Sequence, residues 1–300
     1  MRAITTLFTL LAISSPALAD FKPGEIVVVT KATELKVDNK TVATVRPGFS
    51  VTVGKLEGNW LWVSEGIPGW LRVNSVLPLE EAITYFSDSI RKEPRNEEHY
   101  AARAMVLTEK GEYDQAIADL NMAIRLNPTE ATHYGNRGWT YLRKNDFDRG
   151  LQDCSRAIEL GLSTPMNYNN RGWAFAGRQE YAKAITDYIT AMRLDPSLAD
   201  PIENLAEIFA CCPDSRFRDG KKAVAYSKRV CEMSAWLQPS HLHLLAAACA
   251  ENGDFEDAVR WEEKAIGLNP SSKQNNLRAF EKALSQFKDH QPYHEMVSIE

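Results

Sequence analysis

One segment of the chain repeats itself at a fixed spacing. The run YGNRGW at residues 134–139 recurs as YNNRGW at residues 168–173. Small residues stand at fixed offsets in both copies, as Ala157 and Ala191 do, and the later copy is followed by Pro196. The same frame, moved back by one further period, finds an earlier copy. A period of about 34 residues predicts a solenoid of helix-turn-helix units.

The repeats resemble the tetratricopeptide family. An aromatic residue opens the first helix, a glycine stands where the two helices cross, and a second aromatic residue follows the turn. In the second and third repeats these residues are Tyr134, Gly138, Phe147, Tyr168, Gly172 and Tyr181. The resemblance implies an all-α superhelix, an α-α solenoid whose first helices line a concave groove that holds a protein or peptide partner.

The frame predicts five repeats within residues 97–270. Their bounds are 97–130, 131–164, 165–198, 199–238 with an insertion, and 239–272. An array of this kind needs a terminal helix with a polar outer face, and the amphipathic pattern at residues 273–288 predicts one. We expect residues 289–300 to form an extended tail.

Composition allows two folded domains and limits the partners. The 300 residues are 44% hydrophobic and 25% charged, as in an ordinary folded protein. The net charge is −5 and the pI about 5.8. A general affinity for nucleic acid or for an anionic membrane is therefore not expected, because both attract an excess of positive charge.

Residues 1–19 have the pattern of a secretory signal peptide. A positive start at Arg2 precedes an apolar run, and small residues stand before the expected cleavage after Ala19. The apolar run is too short to cross a bilayer, so we expect no transmembrane anchor after cleavage. The sequence thus predicts a mature protein that begins at Asp20 and is periplasmic or secreted.

Residues 20–79 predict a small β module. Short runs rich in β-branched and aromatic residues alternate with turn residues such as Pro47-Gly48 and Gly58-Asn59. About five short strands in so few residues fit a small barrel. Alternation along the segment at residues 60–63 places Trp60 and Trp62 on one face and their neighbours on the other.

The β module resembles a bacterial SH3-like domain. The resemblance depends on the strand spacing and on Gly69-Trp70-Leu71-Arg72, which is similar to the strand that closes such barrels. It implies a face that holds a peptide or a cell-wall glycopeptide, with Trp60 and Trp62 as candidates; the alternative is that both pack in the core. The predicted fold is therefore α+β and multidomain. A small SH3-like β-barrel is followed by the tetratricopeptide-repeat (TPR) superhelix, and residues 80–96 form a linker or capping helix between them.

Two series of charged residues share the repeat frame. Arg103, Arg137 and Arg171 occupy one position, and Asp119, Asp153 and Asp187 occupy another, always at the same separation. This arrangement predicts a ladder of ion pairs between the two helices of each repeat. Such pairs fix the register of helices more than they add stability. The alternative is that the arginines bind an anionic ligand.

The candidate peptide site is a second set of repeated positions. Asparagine side chains can bond the backbone of an extended peptide, and stacked indoles can clamp its side chains. The residues in these positions are Asn136, Asn170, Asn204, Trp139 and Trp173. Some members of the family use similar asparagine positions to hold a peptide main chain. Packing of the two tryptophans between neighbouring helices is the alternative.

The fourth repeat contains a long turn and most of the cysteines. Residues 212–220, CPDSRFRDG, resemble a variant of the family, and the charged residues within them could brace the turn. The odd number of cysteines, five, leaves at least one thiol unpaired within the chain. Small buried residues are the favoured interpretation; a disulfide of Cys249 with Cys211 or Cys212 is the alternative.

No catalytic, cofactor or metal motif occurs in the sequence. There is no phosphate-binding glycine loop, nucleophile elbow or zinc-binding His-Glu-x-x-His helix. His241 and His243 stand two apart on a predicted helix and point to different sides. We therefore predict a non-enzymatic interaction scaffold without cofactor or metal, whose β module binds a second peptide or a cell-wall ligand. The alternative is a peptidoglycan-associated envelope protein that uses the repeats as an assembly platform.

Overall fold

A computed structural model describes residues 21–63, 68–269, 274–294 and 296. The predicted signal peptide, residues 1–19, lies outside the described residues. The chain forms two compact units, and the boundary falls between Asn127 and Pro128. Each unit has its own hydrophobic clusters.

The first unit begins with an antiparallel sheet. Among the described residues its strands are β1 (Ile26–Val29), β2 (Thr33–Val37), β3 (Lys40–Val45), β4 (Ser50–Glu57), β5 (Trp60–Val63), β6 (Gly69–Arg72) and β7 (Val76–Pro78). Their order in the sheet is β3-β2-β6-β5-β4-β1-β7. The long strand β4 pairs with β1 through its first residues and with β5 through its last, with a register shift after Val53. This bend lets the sheet fold around one core.

Side-chain alternation fills the core of the β module. Leu61 and Val63 are 0% and 2% exposed, whereas Trp60 and Trp62 are half-buried on the opposite face of β5. The predicted alternation is confirmed here. Aliphatic residues from six strands complete this core: Val27, Val29, Leu35, Val45, Val51, Val53, Leu71 and Val76.

Three helices complete the first unit: α1 (Leu79–Lys92), α2 (Glu97–Glu109) and α3 (Tyr113–Leu126). The β module does not stand apart from them. Val28 of β1 belongs to one cluster with Phe86 of α1 and Ala102 of α2. A Cβ atom on Gly48 would lie 2.6 Å from the Cα of Ala102, so the turn before β4 touches the backbone of α2. The first helical hairpin and the β module are therefore parts of one packed body.

The second unit is a series of helical hairpins. Its helices are α4 (Ala131–Arg143), α5 (Phe147–Glu159), α6 (Pro165–Gly177), α7 (Tyr181–Leu194), α8 (Asp200–Cys211), α9 (Gly220–Met233), α10 (Pro239–Glu251), α11 (Phe255–Leu268) and α12 (Gln274–Lys288). Caps mark several helix starts, because an N-cap side chain accepts a hydrogen bond from an otherwise unpaired backbone N–H. Thr164 accepts one from Asn167, and Asp219 accepts one from Lys222.

Glycines permit the closest helix crossings. A Cβ on Gly138 would lie 2.8 Å from the Sγ of Cys154, and one on Gly172 would lie 2.7 Å from the ring of Tyr188. These distances are shorter than real side-chain contacts, so larger residues would force the helices apart. The structure agrees with the sequence-based interpretation of both glycines.

The chain after α12 returns to the body of the second unit. Residues 291–294 form neither helix nor strand, as expected for an extended tail. Tyr293, however, is only 4% exposed and belongs to the large cluster of α8, α10 and α11. The tail is thus packed against the array.

Candidate functional site

The arginine and aspartate series forms three bidentate ion pairs. In each, the Nε and Nη2 atoms of the arginine donate to the two carboxylate oxygens at 2.6–2.8 Å. The pairs are Arg103–Asp119, Arg137–Asp153 and Arg171–Asp187. The hydrogen bonds to the aspartates raise the pKa of all three arginines. These charges satisfy each other within the repeats, which leaves the arginines little capacity for an anionic ligand.

The predicted asparagines differ in their surroundings. Asn136 is half-buried, whereas Asn170 and Asn204 are 4% and 5% exposed. Nδ2 of Asn204 on α8 donates to Oδ1 of Asn169 on α6 at 3.0 Å. Oδ1 of Asn170 is buried and accepts no hydrogen bond from any described residue. A buried amide oxygen without a donor is unfavourable. A ligand N–H reaches this oxygen only when the side chains that cover it move aside.

The two predicted tryptophans contact each other. The ring centroids of Trp139 and Trp173 lie 5.6 Å apart with an interplanar angle of 53°. Both rings remain half-buried, and the guanidinium of Arg143 lies 5.5 Å from the Trp139 centroid. The indoles therefore pack on each other, as the alternative interpretation expects, and each remains partly exposed.

In the fourth repeat a glutamate stands at the position that tryptophan occupies in the second and third repeats. Glu207 stands one repeat period after Trp173 and is 7% exposed. Earlier on α8, Asp200 and Glu203 add two further carboxyl groups. Burial, and then the neighbouring charge of Glu203, raise the pKa of Asp200. The sequence-based site omitted these residues, although the repeat frame would have pointed to Glu207.

The face of the β module carries three tryptophans. Trp70 on β6 packs edge-to-face on Trp62 at 5.2 Å, and the guanidinium of Arg72 lies 4.5 Å from the Trp60 centroid. Trp60 and Trp70 also line a shallow pocket of about 200 Å³ together with Lys36, Asn39 and Glu57. Trp70 was predicted only as part of a strand signature, and its position on the same face follows from the pairing of β5 with β6.

The long turn of the fourth repeat is braced by its own charges. Arg216 forms an ion pair with Asp214, and Arg218 donates to the backbone oxygen of Cys212 at 2.8 Å. Phe217 packs on Tyr181 with 5.6 Å between the ring centroids. The turn is therefore fixed internally, as the sequence indicates.

All five cysteines are buried free thiols, so the suggested disulfide of Cys249 is absent. Burial raises the pKa of Cys154 and Cys231 to about 12. The chain holds the cysteines as small core residues, in agreement with the favoured interpretation.

The histidines of α10 face different partners. Nδ1 of His241 lies 2.9 Å from Oγ of Ser234, whereas Nδ1 of His243 lies 2.8 Å from Oε1 of Glu262. Within the described ranges, no group of three or more His, Cys, Asp or Glu side chains could hold a metal ion. A helix long and apolar enough to cross a membrane is likewise not found in the part of the chain that the structure describes.

Helical hairpins that stack with a regular period define the solenoid class of interaction proteins. Two family models match the chain: one described as TPR repeat at residues 104–145, and one described as Tetratricopeptide repeat at residues 136–199. The chain carries tetratricopeptide repeats, and its β module is compatible with an SH3-like domain. No curated protein matches the chain.

Several solved structures share the fold. PilW, a type IV pilus biogenesis factor, is 19% identical with a TM-score of 0.59, over 67% of this chain and 90% of PilW. The APC/C hetero-tetramer Cut9-Hcn1 is 17% identical with a TM-score of 0.58, over 67% of this chain. Yeast Tom70 is 18% identical with a TM-score of 0.52, over 70% of this chain. The chain spans 39% of the Cut9-Hcn1 chain and 43% of Tom70, and at these identities the likeness concerns the fold alone.

Proposed function

We propose that this protein is an interaction scaffold whose repeats bind an extended peptide segment of a partner protein. The proposal depends on one observation: the buried Oδ1 of Asn170 lacks a hydrogen-bond donor among the described residues. An extended peptide offers a backbone N–H at every second residue toward one side, which is the donor that this oxygen needs. The half-buried pair Trp139 and Trp173 supplies an adjacent surface for its side chains.

The repeats favour binding over catalysis. Two polar contacts of the repeats, Arg137 with Asp153 and Asn204 with Asn169, join one helix to another. The ion pairs of the arginine series hold the two helices of each of the first three repeats at a fixed separation. A rigid wall of this kind lowers the cost of binding a flexible segment, because the protein side is already ordered.

A peptide array tests this proposal. The full chain is incubated with an array of random twelve-residue peptides, and bound protein is detected by a tag. The variant Asn170→Ala/Trp173→Ala is expected to lose the peptides that the wild type retains. Asn121→Ala, which changes an exposed asparagine of α3, is the control and should retain them. Identical peptide sets for the wild type and the double variant would exclude the groove as the binding site.

A second candidate function concerns the β module, which we propose binds a peptide or a cell-wall glycopeptide. The tryptophans Trp60, Trp62 and Trp70 share one face, with cations beside two of them. Aromatic rings pack on sugar and peptide surfaces, and the pocket beside Trp60 adds polar groups. In this alternative the repeats serve as an assembly platform of a peptidoglycan-associated protein.

Sedimentation with purified cell-wall sacculi tests the second candidate. The full chain is used, since the β module shares a core with α1 and α2. Trp60→Ala/Trp70→Ala should remain in the supernatant if the module binds the wall, and Trp139→Ala serves as the control. Equal sedimentation of all three proteins would reject a role for this face.

We also propose that the protein is exported, from the signal-peptide pattern of residues 1–19. Export would place the groove and the β module among periplasmic or extracellular partners. Mass spectrometry of the protein recovered from its native source should find an N-terminus at Asp20. Recovery of the uncleaved chain would contradict this.

A further inference from the structure

The first helix of the fifth repeat is buried on all sides. In α10 every residue from Leu242 to Ala250 is buried. In α4 and α6, by contrast, Asn136, Trp139 and Trp173 remain half-buried at the positions proposed for a ligand. The preceding first helix, α8, is also buried from Asn204 to Cys211, so what distinguishes α10 is the chain segment that contacts it. In the fifth repeat, α12 and the segment that follows it contribute to the burial of α10.

The segment after α12 contacts α10 at two points. Tyr293, 4% exposed, packs edge-to-face on His243 with 5.4 Å between ring centroids. Nε2 of His294 lies 2.7 Å from Oε2 of Glu251, a hydrogen-bond distance. His243 and Glu251 are separated by about 12 Å along the axis of α10. Two consecutive side chains, Tyr293 and His294, thus reach points about two turns apart on α10.

Both residues of α10 that the segment contacts are held in place by further side chains. His243 stacks on Phe280 at 4.6 Å and is fixed by Glu262, so it presents an aromatic face to the tyrosine. Glu251 is held by Arg218, whose Nε lies 3.1 Å from Oε1 of the same carboxylate. Arg218 belongs to the long turn of the fourth repeat. The insertion therefore orients the carboxylate that receives His294.

We propose that the side of α10 that carries His243 and Glu251 is a peptide subsite, that Tyr293 and His294 occupy it within the chain, and that it takes partner segments in which an aromatic residue directly precedes a histidine. The aromatic residue packs on His243, and the following imidazole N–H donates to Glu251. The proposal rests on the proposed function of the repeats and names the chemistry of one partner segment. A partner must displace the tail, so its apparent affinity falls by the fraction of molecules in which the subsite is open.

A labelled peptide tests the occupancy. The probe is a fluorescein-labelled peptide with the sequence of residues 289–296, DHQPYHEM, and binding is followed by fluorescence anisotropy. The full-length variant Tyr293→Ala/His294→Ala should bind it at least tenfold more tightly than the wild type, because its own tail no longer competes. Adding Glu251→Gln to that variant should remove most of the gain. The matched control is Gln291→Ala, which changes an exposed tail residue and should bind like the wild type.

Specificity is tested with a second peptide, in which tyrosine and histidine are exchanged. This exchanged peptide should bind the double variant at least tenfold more weakly than DHQPYHEM does. His243 and Glu251, which contact the aromatic residue and the histidine, lie in a fixed order along α10. Equal binding of both peptides, or no gain over the wild type, would overturn the proposal. If circular dichroism shows that the double variant is unfolded, His294→Ala replaces it, because this variant keeps the buried tyrosine. Its expected gain is about threefold, and no gain would again overturn the proposal.

The result is separable from the test of the proposed function. Asn170→Ala lies on α6 and should leave binding of the DHQPYHEM peptide to the tail variant unchanged. If array peptides depend on Asn170 while the labelled peptide never binds, only the subsite on α10 is rejected. If the labelled peptide binds as expected while the array result fails, the proposed groove site is rejected and the subsite stands.

Discussion

Asn204 donates its side-chain amide to Oδ1 of Asn169 across 3.0 Å, and this bond joins α8 to α6. The next residue, Asn170, has no such bond. Its Oδ1 is buried and receives no donor from the described residues. Two asparagines that share one position in the repeat frame, Asn170 and Asn204, therefore have different roles. The amide of Asn204 connects neighbouring helices, whereas Oδ1 of Asn170 accepts no hydrogen bond from the described residues.

This difference predicts losses of stability of different size for the two alanine variants. Asn204→Ala leaves Oδ1 of Asn169 buried and unpaired, which should lower the free energy of unfolding by about 1–3 kcal/mol. Asn170→Ala removes an oxygen that has no donor to lose, so its loss should be under about 1 kcal/mol. Urea unfolding followed by circular dichroism measures both. A larger loss for Asn170→Ala than for Asn204→Ala would contradict the absence of a donor at Oδ1 of Asn170.

The ion pair between Arg137 and Asp153 predicts a compensating pair of substitutions. Asp153 is 4% exposed, so Arg137→Met leaves a buried carboxylate without its bidentate partner. The expected loss is about 3 kcal/mol in the free energy of unfolding, and Asp153→Leu added to it should recover most of this. Chemical unfolding of the two variants and the wild type measures the effect. A double variant as unstable as the single one would show that the arginine contributes through packing instead.

Gly48 predicts how tightly the β module is joined to α2. Its φ of +85° disfavours any side chain, and a Cβ would also meet the backbone of Ala102. Gly24 has nearly the same φ, +86°, but has no atoms within 4 Å of a Cβ. Gly24→Ala should therefore lower the free energy of unfolding by only about 1–2 kcal/mol, because a side chain is strained in the left-handed backbone conformation. Gly48→Ala should cost a further amount of about 1–3 kcal/mol for overpacking.

Thermal unfolding of the two glycine variants measures the difference. Equal losses would indicate that the turn before β4 moves away from α2 without cost. In that case the β module would be less firmly packed on the helices than the structure shows.

The cysteines predict a pH-dependent reactivity. Burial raises the pKa of Cys154 and Cys231 to about 12 and that of Cys249 to about 11. Folding thus favours the neutral thiol, a contribution that is fully present at pH 8 and is lost as the pH rises through 11 to 12. At pH 8 a thiol reagent such as DTNB should react with no cysteine rapidly in the native protein and with five after unfolding in urea. Fewer than five would reveal a disulfide.

Much of the helical scaffold could be predicted from spacing. The small residues at fixed offsets mark helix contacts within one hairpin, and both partners of such a contact lie within a single repeat. The ion pair of Arg171 with Asp187 is of this kind, since the two residues are 16 apart on adjacent helices. In the β module the expectation of about five strands was too low, because the described residues form seven, among them the short strand β2. Its sequence, TELKV, alternates charged with apolar residues and buries only Leu35.

The candidate site could be predicted only in outline. The repeat frame selects Asn136, Asn170 and Asn204 as equivalent positions, but equivalence in sequence does not fix the hydrogen bonds of each residue. The bond from Asn204 reaches a residue of the preceding repeat, and the tail contacts α10 from a distant part of the chain. Contacts between distant segments depend on how the repeats stack, which no local pattern encodes.

The sequence by itself therefore determined the helical hairpins, their glycine crossings and the Arg–Asp pairs, because these depend on residues within one repeat. The tertiary structure decided which polar side chains bond to a neighbouring helix and where the chain after α12 packs on α10. Asn170 and Asn204 illustrate the division: the same residue type recurs at the same position, and only the neighbouring helix determines whether its hydrogen bonds are already made.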